Sequence, residues 1–336
     1  MTKIISKNII LKKYIPEGIP TKNDFDIIEI PLNLDNDNNV LVKNLWTSVD
    51  PYMRTRMTDK KNYIAPFEIG KPMEGSAIGE VLESKSKLFN KGDIVSSFFG
   101  WRDHFIAKDN KLKKIQPIDV PIQTYLGPLG FTGHTAYVGL FKIGNLKKGQ
   151  TVLVSSAGGA VGSMVCQFAK INGCKVFAST GSDEKVDWLK NSIGVDYAFN
   201  YKKVENLVLY FKDICPTGFD LYFDNVGGDF LESVIYKMKN FGNIVICGRI
   251  SQMDPKSISS GLKNMAHVLV KRLTMRGFLI FDHLEDTSEF ENNVIKWIQE
   301  DKLQWKETIF EGIENTPEAF SALLKGKNMG KMLIKI

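Results

Sequence analysis

Cysteine and histidine are scarce in this sequence. Each occurs only four times among 336 residues, and no cysteine precedes Cys166. The cysteines form no C-x-x-C pair, and the four histidines show no metal-ligand spacing. Zinc lobes and disulfide frameworks need closer or more regular spacing. We therefore expect no metal and free thiols in a reducing compartment.

Long apolar runs and dense clusters of one charge are also lacking. No run approaches the ~18–20 apolar residues of a membrane helix, so we expect no membrane partner. The net charge is only 44 − 38 = +6, with both signs interspersed, which argues against nucleic acid as a partner. The basic N-terminal segment lacks the apolar core and cleavage site of a signal peptide, so we expect a cytoplasmic protein.

Two kinds of pattern meet near residue 125. Before it, short β-like runs such as 25–30 and 40–46 alternate with turn residues, which predicts an antiparallel, β-rich lobe. After it, apolar strands alternate with amphipathic helices, at 151–155, 161–171, 175–179, 183–191, 197–200, 204–214, 221–224, 230–239 and 243–247, with a sixth strand at 274–280. This alternation predicts a doubly wound parallel sheet. The pattern returns to β-like beyond about residue 300.

A turn of small residues follows the first strand of the predicted parallel sheet, with the sequence AGGAVGS at 157–163. Gly159 allows the backbone to approach a pyrophosphate, and Gly162 allows the next helix to pack closely on the strand. The helix N-terminus offers N–H groups and a positive dipole end to phosphates. A tight turn without a ligand is the alternative, but the neighbouring βαβ units favour a dinucleotide.

The end of the second strand distinguishes NAD from NADP. An NAD site needs a carboxylate about 20 residues beyond the turn, for the ribose 2′-hydroxyl. Strand 175–179 instead leads into the tripeptide TGS. Lys185, in the first turn of the next helix, can pair with a 2′-phosphate, and Asp183 and Glu184 are most simply helix-start residues. The sequence therefore predicts NADPH as the coenzyme.

Several motifs then occur in order along the whole chain: SVDPYMRTRM (48–57), YLGPLGFTGHTAY (125–137), AGGAVGS (157–163), GSDEK (181–185), FNYK (199–202), YFDNVGG (222–228), ICGRIS (246–251) and GKNMGK (326–331). With them the chain resembles the zinc-independent medium-chain dehydrogenase/reductases, in the prostaglandin reductase / 2-alkenal reductase (leukotriene 12-hydroxydehydrogenase-like) branch. The resemblance implies a GroES-like, β-rich catalytic domain built from both chain ends (1–124 and 300–336) and a Rossmann NADP-binding domain between them (125–299).

The resemblance also implies which residues hold the coenzyme. They are Gly159, Ala160, Val161 and Gly162 for the pyrophosphate; Lys185 and Tyr201 for the 2′-phosphate; Asn225 for a ribose; Cys247, Gly248 and Ser251 on the nicotinamide side; Phe278, Leu279 and Ile280 for the carboxamide; and Asn328, which closes over the coenzyme from the other domain. Plainer alternatives remain at this point. Tyr201 could only pack on the sheet edge, and the two asparagines could only serve turn chemistry.

The activity that the resemblance implies is NADPH-dependent reduction of the carbon–carbon double bond of α,β-unsaturated aldehydes and ketones. Hydride reaches the β-carbon, a proton reaches the α-carbon, and a donor must stabilise the enolate oxygen between these events. Many relatives supply a tyrosine where this chain has Met253, and some supply another where it has Val270. Neither side chain can donate a hydrogen bond.

Tyr52, expected at the cleft between the domains, is therefore the predicted catalytic donor, together with the ribose 2′-hydroxyl. Its alternative role is an aromatic wall that only packs on substrate. The polar loop 251–266 is expected to line the substrate entrance, and its lack of aromatic residues favours small enals and enones.

Three further expectations follow from the resemblance. Zinc-dependent relatives carry a Gly-His-Glu motif where this chain reads KPMEG at 71–75, so no metal is expected. An NADPH:quinone oxidoreductase and a non-catalytic NADPH-binding protein remain as alternative functions. A homodimer is expected, paired through the edge strand at 274–280.

Overall fold

The structure is a computed structural model that describes residues 4–116, 118–253 and 261–336. Its strands are β1 (Ile4–Leu11), β2 (Phe25–Leu32), β3 (Asn39–Ser48), β4 (Ala77–Ser84), β5 (Ile94–Ser97), β6 (His104–Lys108), β7 (Lys113–Lys114), β8 (Thr151–Val154), β9 (Lys175–Thr180), β10 (Tyr197–Asn200), β11 (Phe219–Asp224), β12 (Met238–Ile246), β13 (Thr274–Gly277), β14 (Glu307–Glu311) and β15 (Lys331–Lys335). Its α-helices are α1 (Met53–Arg56), α2 (Phe131–Tyr137), α3 (Ala160–Ile171), α4 (Asp183–Asn191), α5 (Leu207–Ile214), α6 (Gly228–Ile235), α7 (Met265–Lys271), α8 (Thr287–Gln299) and α9 (Thr316–Leu324). A π-helical segment, Val138–Ile143, continues α2, and a 3₁₀ helix covers Ile280–Asp286.

The chain divides into two compact units. The first comprises the described residues of Met1–Leu126, with Glu307–Asn328 and Met332–Ile336, and the second comprises Gly127–Lys306 with Met329–Lys331. Residues from both chain ends therefore build the first unit.

The first unit contains a seven-stranded sheet in the order β14-β15-β3-β4-β5-β7, with β6 paired to β3, and a separate hairpin of β1 and β2. Strand β15 from the C-terminal end runs antiparallel to β3, with Leu333 opposite Ser48. A buried cluster around Trp101, Met53 and Phe320 fixes α1 and α9 in this unit. Burying such large side chains supplies about 1.5–3 kcal/mol each.

The second unit contains a six-stranded sheet in the order β10-β9-β8-β11-β12-β13. Its neighbouring strands pair parallel throughout. Strand β8, at the centre, is buried along its whole length, as expected for a parallel sheet covered on both faces. The predicted fold class, a Rossmann domain with a GroES-like β-rich domain from both chain ends, is confirmed.

Several predicted element bounds are wrong. The predicted helix 204–214 begins at Leu207, because Asn206 caps it, and the predicted strand 243–247 begins at Met238. Sheet pairing explains two further differences. The predicted helix 230–239 ends at Ile235, because Met238 pairs with Phe219 in the sheet and the Phe219 N–H donates to the Lys237 carbonyl (3.0 Å). The predicted strand 274–280 ends at Gly277, which pairs with the last residue of β12. Among the described residues, positions 278–280 pair with no residue of β12.

Of the helices in the described ranges, none combines the length and apolarity needed to cross a bilayer.

Candidate functional site

The carboxyl ends of the six parallel strands gather most of the predicted coenzyme residues. Parallel strands bring these ends to one edge of a sheet, where ligands bind in open α/β folds. The segments that follow the strands are 159–162 after β8, Lys185 after β9, Tyr201 after β10, Asn225 after β11, Cys247, Gly248 and Ser251 after β12, and Phe278, Leu279 and Ile280 after β13. Tyr52 and Asn328 belong to the first unit.

The turn after β8 (155–159), named the phosphate turn for its predicted role, packs directly onto the start of α3. Gly159 caps this helix, and its N–H donates to the Ser156 carbonyl (3.0 Å). A Cβ on Gly162 would lie 2.4 Å from the Ser156 oxygen and 2.7 Å from the Ala157 Cα. Only glycine fits this contact. Helix α3 has twelve residues. The N–H groups of its first turn, at Ala160 to Gly162, have no hydrogen-bond acceptor within the helix.

The segment Met329–Lys331 lies against the same turn. The Gly330 N–H donates to the Gly158 carbonyl (2.9 Å), and the Lys331 N–H donates to the Lys306 carbonyl (3.0 Å). Asn328, which is buried, directly precedes this segment. Asn328 therefore lies two residues before Gly330, whose N–H is bonded to this turn.

Lys185 lies against the phosphate turn from the side of β9. A Cβ on Gly158 would lie 2.8 Å from Lys185 Cδ and 3.0 Å from Thr180 Oγ1. Ser182 caps α4 by accepting from the Lys185 N–H (3.4 Å). Burial lowers the pKa of the Lys185 ammonium, and the charge of Lys202 lowers it further. The site therefore brings two positive charges together at the tip of β9.

Lys202 is a candidate site residue that the sequence reasoning missed. A Cβ on Gly181 would lie 3.3 Å from both Lys202 Cε and Tyr201 Cε1, so Lys202 and Tyr201 both flank the tip of β9. The signal was present, because Lys202 is the last residue of the FNYK motif that carried the resemblance.

Two acidic residues, Asp183 and Glu184, directly precede Lys185 in sequence. Against the effect of burial, the charge of Glu184 raises the pKa of Lys185, whereas Asp183 is already engaged elsewhere. Its carboxylate accepts from Lys203 Nζ (2.7 Å) and Asn200 Nδ2 (3.1 Å). The Lys203 ammonium, followed by the Asn200 amide, lowers the pKa of Asp183. This carboxylate therefore links α4 to the end of β10.

The loop after β12 is held on the turn after β11. The N–H groups of Cys247 and Gly248 donate to the Asp224 carbonyl (2.9 and 3.0 Å). Ser251 Oγ donates to the Val226 carbonyl (2.6 Å). Burial, with the Asp224 charge, raises the pKa of the Cys247 thiol to about 12, so this thiol stays protonated. The segments that follow β11 and β12 are therefore bonded to each other.

The segment after β13 packs its aromatic ring against the π-helical segment. A Cβ on Gly139 would lie 2.8 Å from Phe278 Cζ and 2.7 Å from Phe223 Cε2. Leu279 and Ile280 follow at the start of the 3₁₀ helix, and the Leu279 carbonyl accepts from the Asp282 N–H (3.1 Å). The ring contact fixes the backbone of Phe278 at the end of the sheet.

Tyr52 lies at the start of α1 in the first unit and packs against the Trp101 cluster. Burial is the main cause that raises the pKa of its hydroxyl above the usual value, and the Asp50 charge raises it further. Arg56 acts in the opposite direction, while also bonding Glu74 (2.8 Å). Tyr52 is therefore a neutral hydroxyl, able to donate, at ordinary pH.

The two positions where relatives carry tyrosine differ in their surroundings. Val270 is 64% exposed on α7, and Met253 is half-buried. Of the predicted entrance loop 251–266, residues 254–260 lie outside the described residues.

A metal centre finds little support in the donor set. At the position of the zinc-ligand motif, Met73 is a buried core residue and Glu74 pairs with Arg56. In the described ranges, one group of side chains, His283, Glu285 and Asp286, brings its ligand atoms within 4.8 Å of one another. Lys142 Nζ, 3.3 Å from Asp286, already neutralises part of that charge. The residues at 71–75 do not fit a zinc ion.

Comparison with known proteins gives an end-to-end match. The model of the N-terminal domain of oxidoreductase matches residues 7–115, and that of zinc-binding dehydrogenase matches residues 160–300. The NADP-dependent 2-alkenal reductase of Nicotiana tabacum is 41% identical, covering 99% of this chain and 98% of that protein. Prostaglandin reductase 1 of Bos taurus is 42% identical, covering 98% and 99%.

A solved structure agrees with the sequence relatives. The crystal structure of CurA in complex with NADPH from Vibrio vulnificus superposes with a TM-score of 0.91 and 34% identity, covering 98% of both chains. The chain therefore belongs to the medium-chain dehydrogenase/reductase family, in the branch of the prostaglandin reductases and 2-alkenal reductases.

Proposed function

We propose that this protein uses NADPH to reduce the carbon–carbon double bond of α,β-unsaturated aldehydes and ketones. The observation that carries the proposal is 41–42% identity to a 2-alkenal reductase and a prostaglandin reductase over almost the whole chain. The paired lysines beside the phosphate turn support NADPH over NADH. When bound, NADPH supplies the hydride that reaches the β-carbon.

The residues of the second unit bind and orient the coenzyme. The turn 159–162 holds the pyrophosphate, Lys185, Tyr201 and Lys202 hold the 2′-phosphate, and Asn225 holds a ribose. The remaining proposed contacts in the second unit are Cys247, Gly248, Ser251, Phe278, Leu279 and Ile280. Asn328, of the first unit, is a further proposed contact. In this assignment 125–299 is the coenzyme domain, and 1–124 with 300–336 is the catalytic domain.

Tyr52 is the proposed side-chain donor to the enolate oxygen. Its neutral hydroxyl supports this role, and Met253 cannot fill it. Replacing Tyr52 by phenylalanine is expected to lower kcat/KM for an enone about 10- to 100-fold, because a transition-state hydrogen bond is lost. NADPH binding should stay unchanged. The raised pKa also predicts no loss of the Tyr52-dependent rate up to about pH 10.

The control for Tyr52→Phe is Tyr14→Phe, which removes an exposed hydroxyl and is expected to leave kcat/KM unchanged. Steady-state rates with a short enone measure both variants. Equal rates for Tyr52→Phe and the unmodified protein would show that Tyr52 only packs on substrate.

We also propose that catalysis needs no zinc, because the residues at 71–75 supply no suitable ligands. Dialysis against a strong chelator is expected to leave the rate of enone reduction unchanged. A loss that zinc alone restores would contradict this.

A homodimer is the proposed assembly. Strand β13 is the last strand of its sheet, and the preceding helix α7 exposes Leu269 (79%) and Val270. An open strand edge beside exposed apolar side chains requires cover. Light scattering is expected to give twice the monomer mass, with Leu269→Lys shifting the equilibrium toward monomer. A monomer mass at micromolar concentration for the unmodified protein would exclude this assembly.

The function itself is tested by following NADPH oxidation with a 2-alkenal, an alkyl vinyl ketone, a bulky 15-oxo-type enone and a benzoquinone, with NADH in parallel. Turnover of the small enal and vinyl ketone with NADPH is expected. Turnover of quinone alone would assign the protein to the quinone oxidoreductases, and NADPH binding without turnover would indicate a non-catalytic binding protein.

A further inference from the structure

A buried polar cluster lies beneath the coenzyme edge of the second unit. It comprises Ser155, Tyr222, Asp224 and Asn225, and the side chains of Tyr222 and Asp224 are fully buried. Polar groups in such a position are costly unless they are hydrogen-bonded. The cluster therefore needs a reason beyond core packing, since apolar residues of similar size would fill the same space.

The Asp224 carboxylate organises the turn that follows β11. Its Oδ1 accepts from the Tyr222 hydroxyl (2.6 Å) and from the N–H groups of Val226 and Gly227 (both 2.9 Å). Gly227 has a φ of +72° and Gly228 a φ of +57°, so the turn passes through the left-handed region. One carboxylate oxygen therefore holds a turn whose backbone conformation glycine adopts without strain.

Ser155 connects this turn to the end of β8. The Tyr222 hydroxyl oxygen lies 3.0 Å from Ser155 Oγ, and Ser155 Oγ accepts from the Asn225 N–H (3.0 Å). The Ser155 carbonyl accepts from Asn225 Nδ2 (2.8 Å). Because the Asn225 NH₂ group is fixed on the Ser155 carbonyl, the Asn225 amide oxygen is directed away from Ser155. Asn225 therefore presents a hydrogen-bond acceptor, which suits a sugar hydroxyl.

Asp224 also holds the segment that follows β12. The Asp224 main-chain oxygen accepts from the N–H groups of both Cys247 and Gly248. The ends of β8, β11 and β12 are thus joined through two adjacent residues, Asp224 and Asn225, and the hydroxyls of Ser155 and Tyr222. Within the described ranges, Asp224 Oδ2 makes no hydrogen bond, so Oδ1 makes the side-chain hydrogen bonds of Asp224, to the turn and to the hydroxyls of Tyr222 and Ser155.

We propose that Tyr222, Asp224 and Ser155 are positioning residues that fix the Asn225 amide and the turn 225–228 in the orientation that receives the ribose of NADPH. This inference rests on the proposed coenzyme site. The three residues act through Asn225 and the backbone, and none of them needs to touch the coenzyme.

The test compares Tyr222→Phe with Tyr197→Phe. Each variant loses one tyrosine hydroxyl from the same sheet, but Tyr197 lies on the edge strand β10, three positions from β11. Its hydroxyl bonds that of Tyr210 (3.0 Å). NADPH binding is measured by fluorescence titration, and Tm by thermal unfolding without coenzyme. We expect Tyr222→Phe to raise the Kd for NADPH about tenfold and Tyr197→Phe to leave it unchanged, with similar Tm losses.

Kinetics supply a second readout that a merely structural role does not move. Tyr222→Phe is expected to raise KM for NADPH while KM for the enone stays constant. If Tyr222→Phe fails to fold, Ser155→Ala carries the same test, because it removes the acceptor of the Asn225 N–H. An unchanged Kd in the folded variant, or an equal rise in Tyr197→Phe, overturns the inference. Failure of the unmodified protein to bind NADPH would instead overturn the coenzyme assignment.

Discussion

Replacing Lys185 and Lys202 together by alanine is expected to weaken NADPH binding at least about 100-fold while changing NADH binding less than about threefold. Hydrogen bonds to charged groups contribute about 1.5–3 kcal/mol each, and 1.4 kcal/mol corresponds to a factor of ten. Both ammonium groups lie near the tip of β9, close enough for Lys202 to lower the pKa of Lys185. An anion bound between them would relieve their mutual repulsion.

Lys185→Ala and Lys202→Ala are each expected to weaken NADPH binding about tenfold. Lys212→Ala is the matched control, since it removes the same charge from an exposed position on α5. Titration of both coenzymes by fluorescence, at two salt concentrations, measures the discrimination and its screening. If the double variant binds NADPH and NADH in the same ratio as the unmodified protein, the 2′-phosphate binds elsewhere.

The same pair predicts the pH dependence of coenzyme binding. Burial and Lys202 lower the pKa of Lys185 in the free protein, whereas a bound phosphate favours the charged ammonium and raises that pKa again. Binding of NADPH therefore takes up protons in the alkaline range, and its affinity is expected to fall as pH rises through the free-state pKa of Lys185. NADH should show no such fall, and Lys185→Ala should remove it.

The sequence predicted the strands and helices around the proposed coenzyme edge well because its signals there are local. The strand–turn–helix pattern at 151–171 and the absence of a carboxylate after β9 depend on adjacent residues, and the structure has these elements at or within a residue or two of the predicted positions. Periodicity failed at 230–239, where the start of β12 has a sequence compatible with a helix. The pairing of Met238 with Phe219 decides the outcome there, and pairing between distant strands leaves no local pattern.

The residues that sequence reasoning missed depend on contacts between segments. Lys202 follows Tyr201 in an ordinary-looking run of charges, and only the approach of β10 to the tip of β9 brings it near Lys185. Asp224 reads as the last residue of a strand, yet its carboxylate bonds two N–H groups of the next turn and a tyrosine two residues before it. A buried acid at a strand end is a usable signal, provided that the following turn is rich in glycine.

Substituting alanine for Gly162 should lower the stability of the protein, whereas most glycine-to-alanine changes in helices raise it. In an unobstructed helix interior alanine stabilises by about 1 kcal/mol, but here its Cβ would lie 2.4 Å from the Ser156 oxygen and 2.7 Å from the Ala157 Cα. Both atoms belong to the backbone of the phosphate turn, so relief requires moving the turn itself. Overpacking of this kind costs about 1–3 kcal/mol or more, which corresponds to a fall in Tm of several degrees.

The same displacement should raise the Kd for NADPH at least about 100-fold, because the N–H groups of the first turn of α3 lose their alignment with the pyrophosphate. Gly277→Ala is the control for stability, since its nearest contact to a new Cβ is 3.9 Å away and its Tm should stay within about 2 °C. Thermal unfolding and NADPH titration separate the two effects. A Gly162→Ala protein that is as stable as the parent and binds NADPH normally would mean that the turn can shift at no cost, and that close packing of α3 on the turn does not set the shape of the phosphate site.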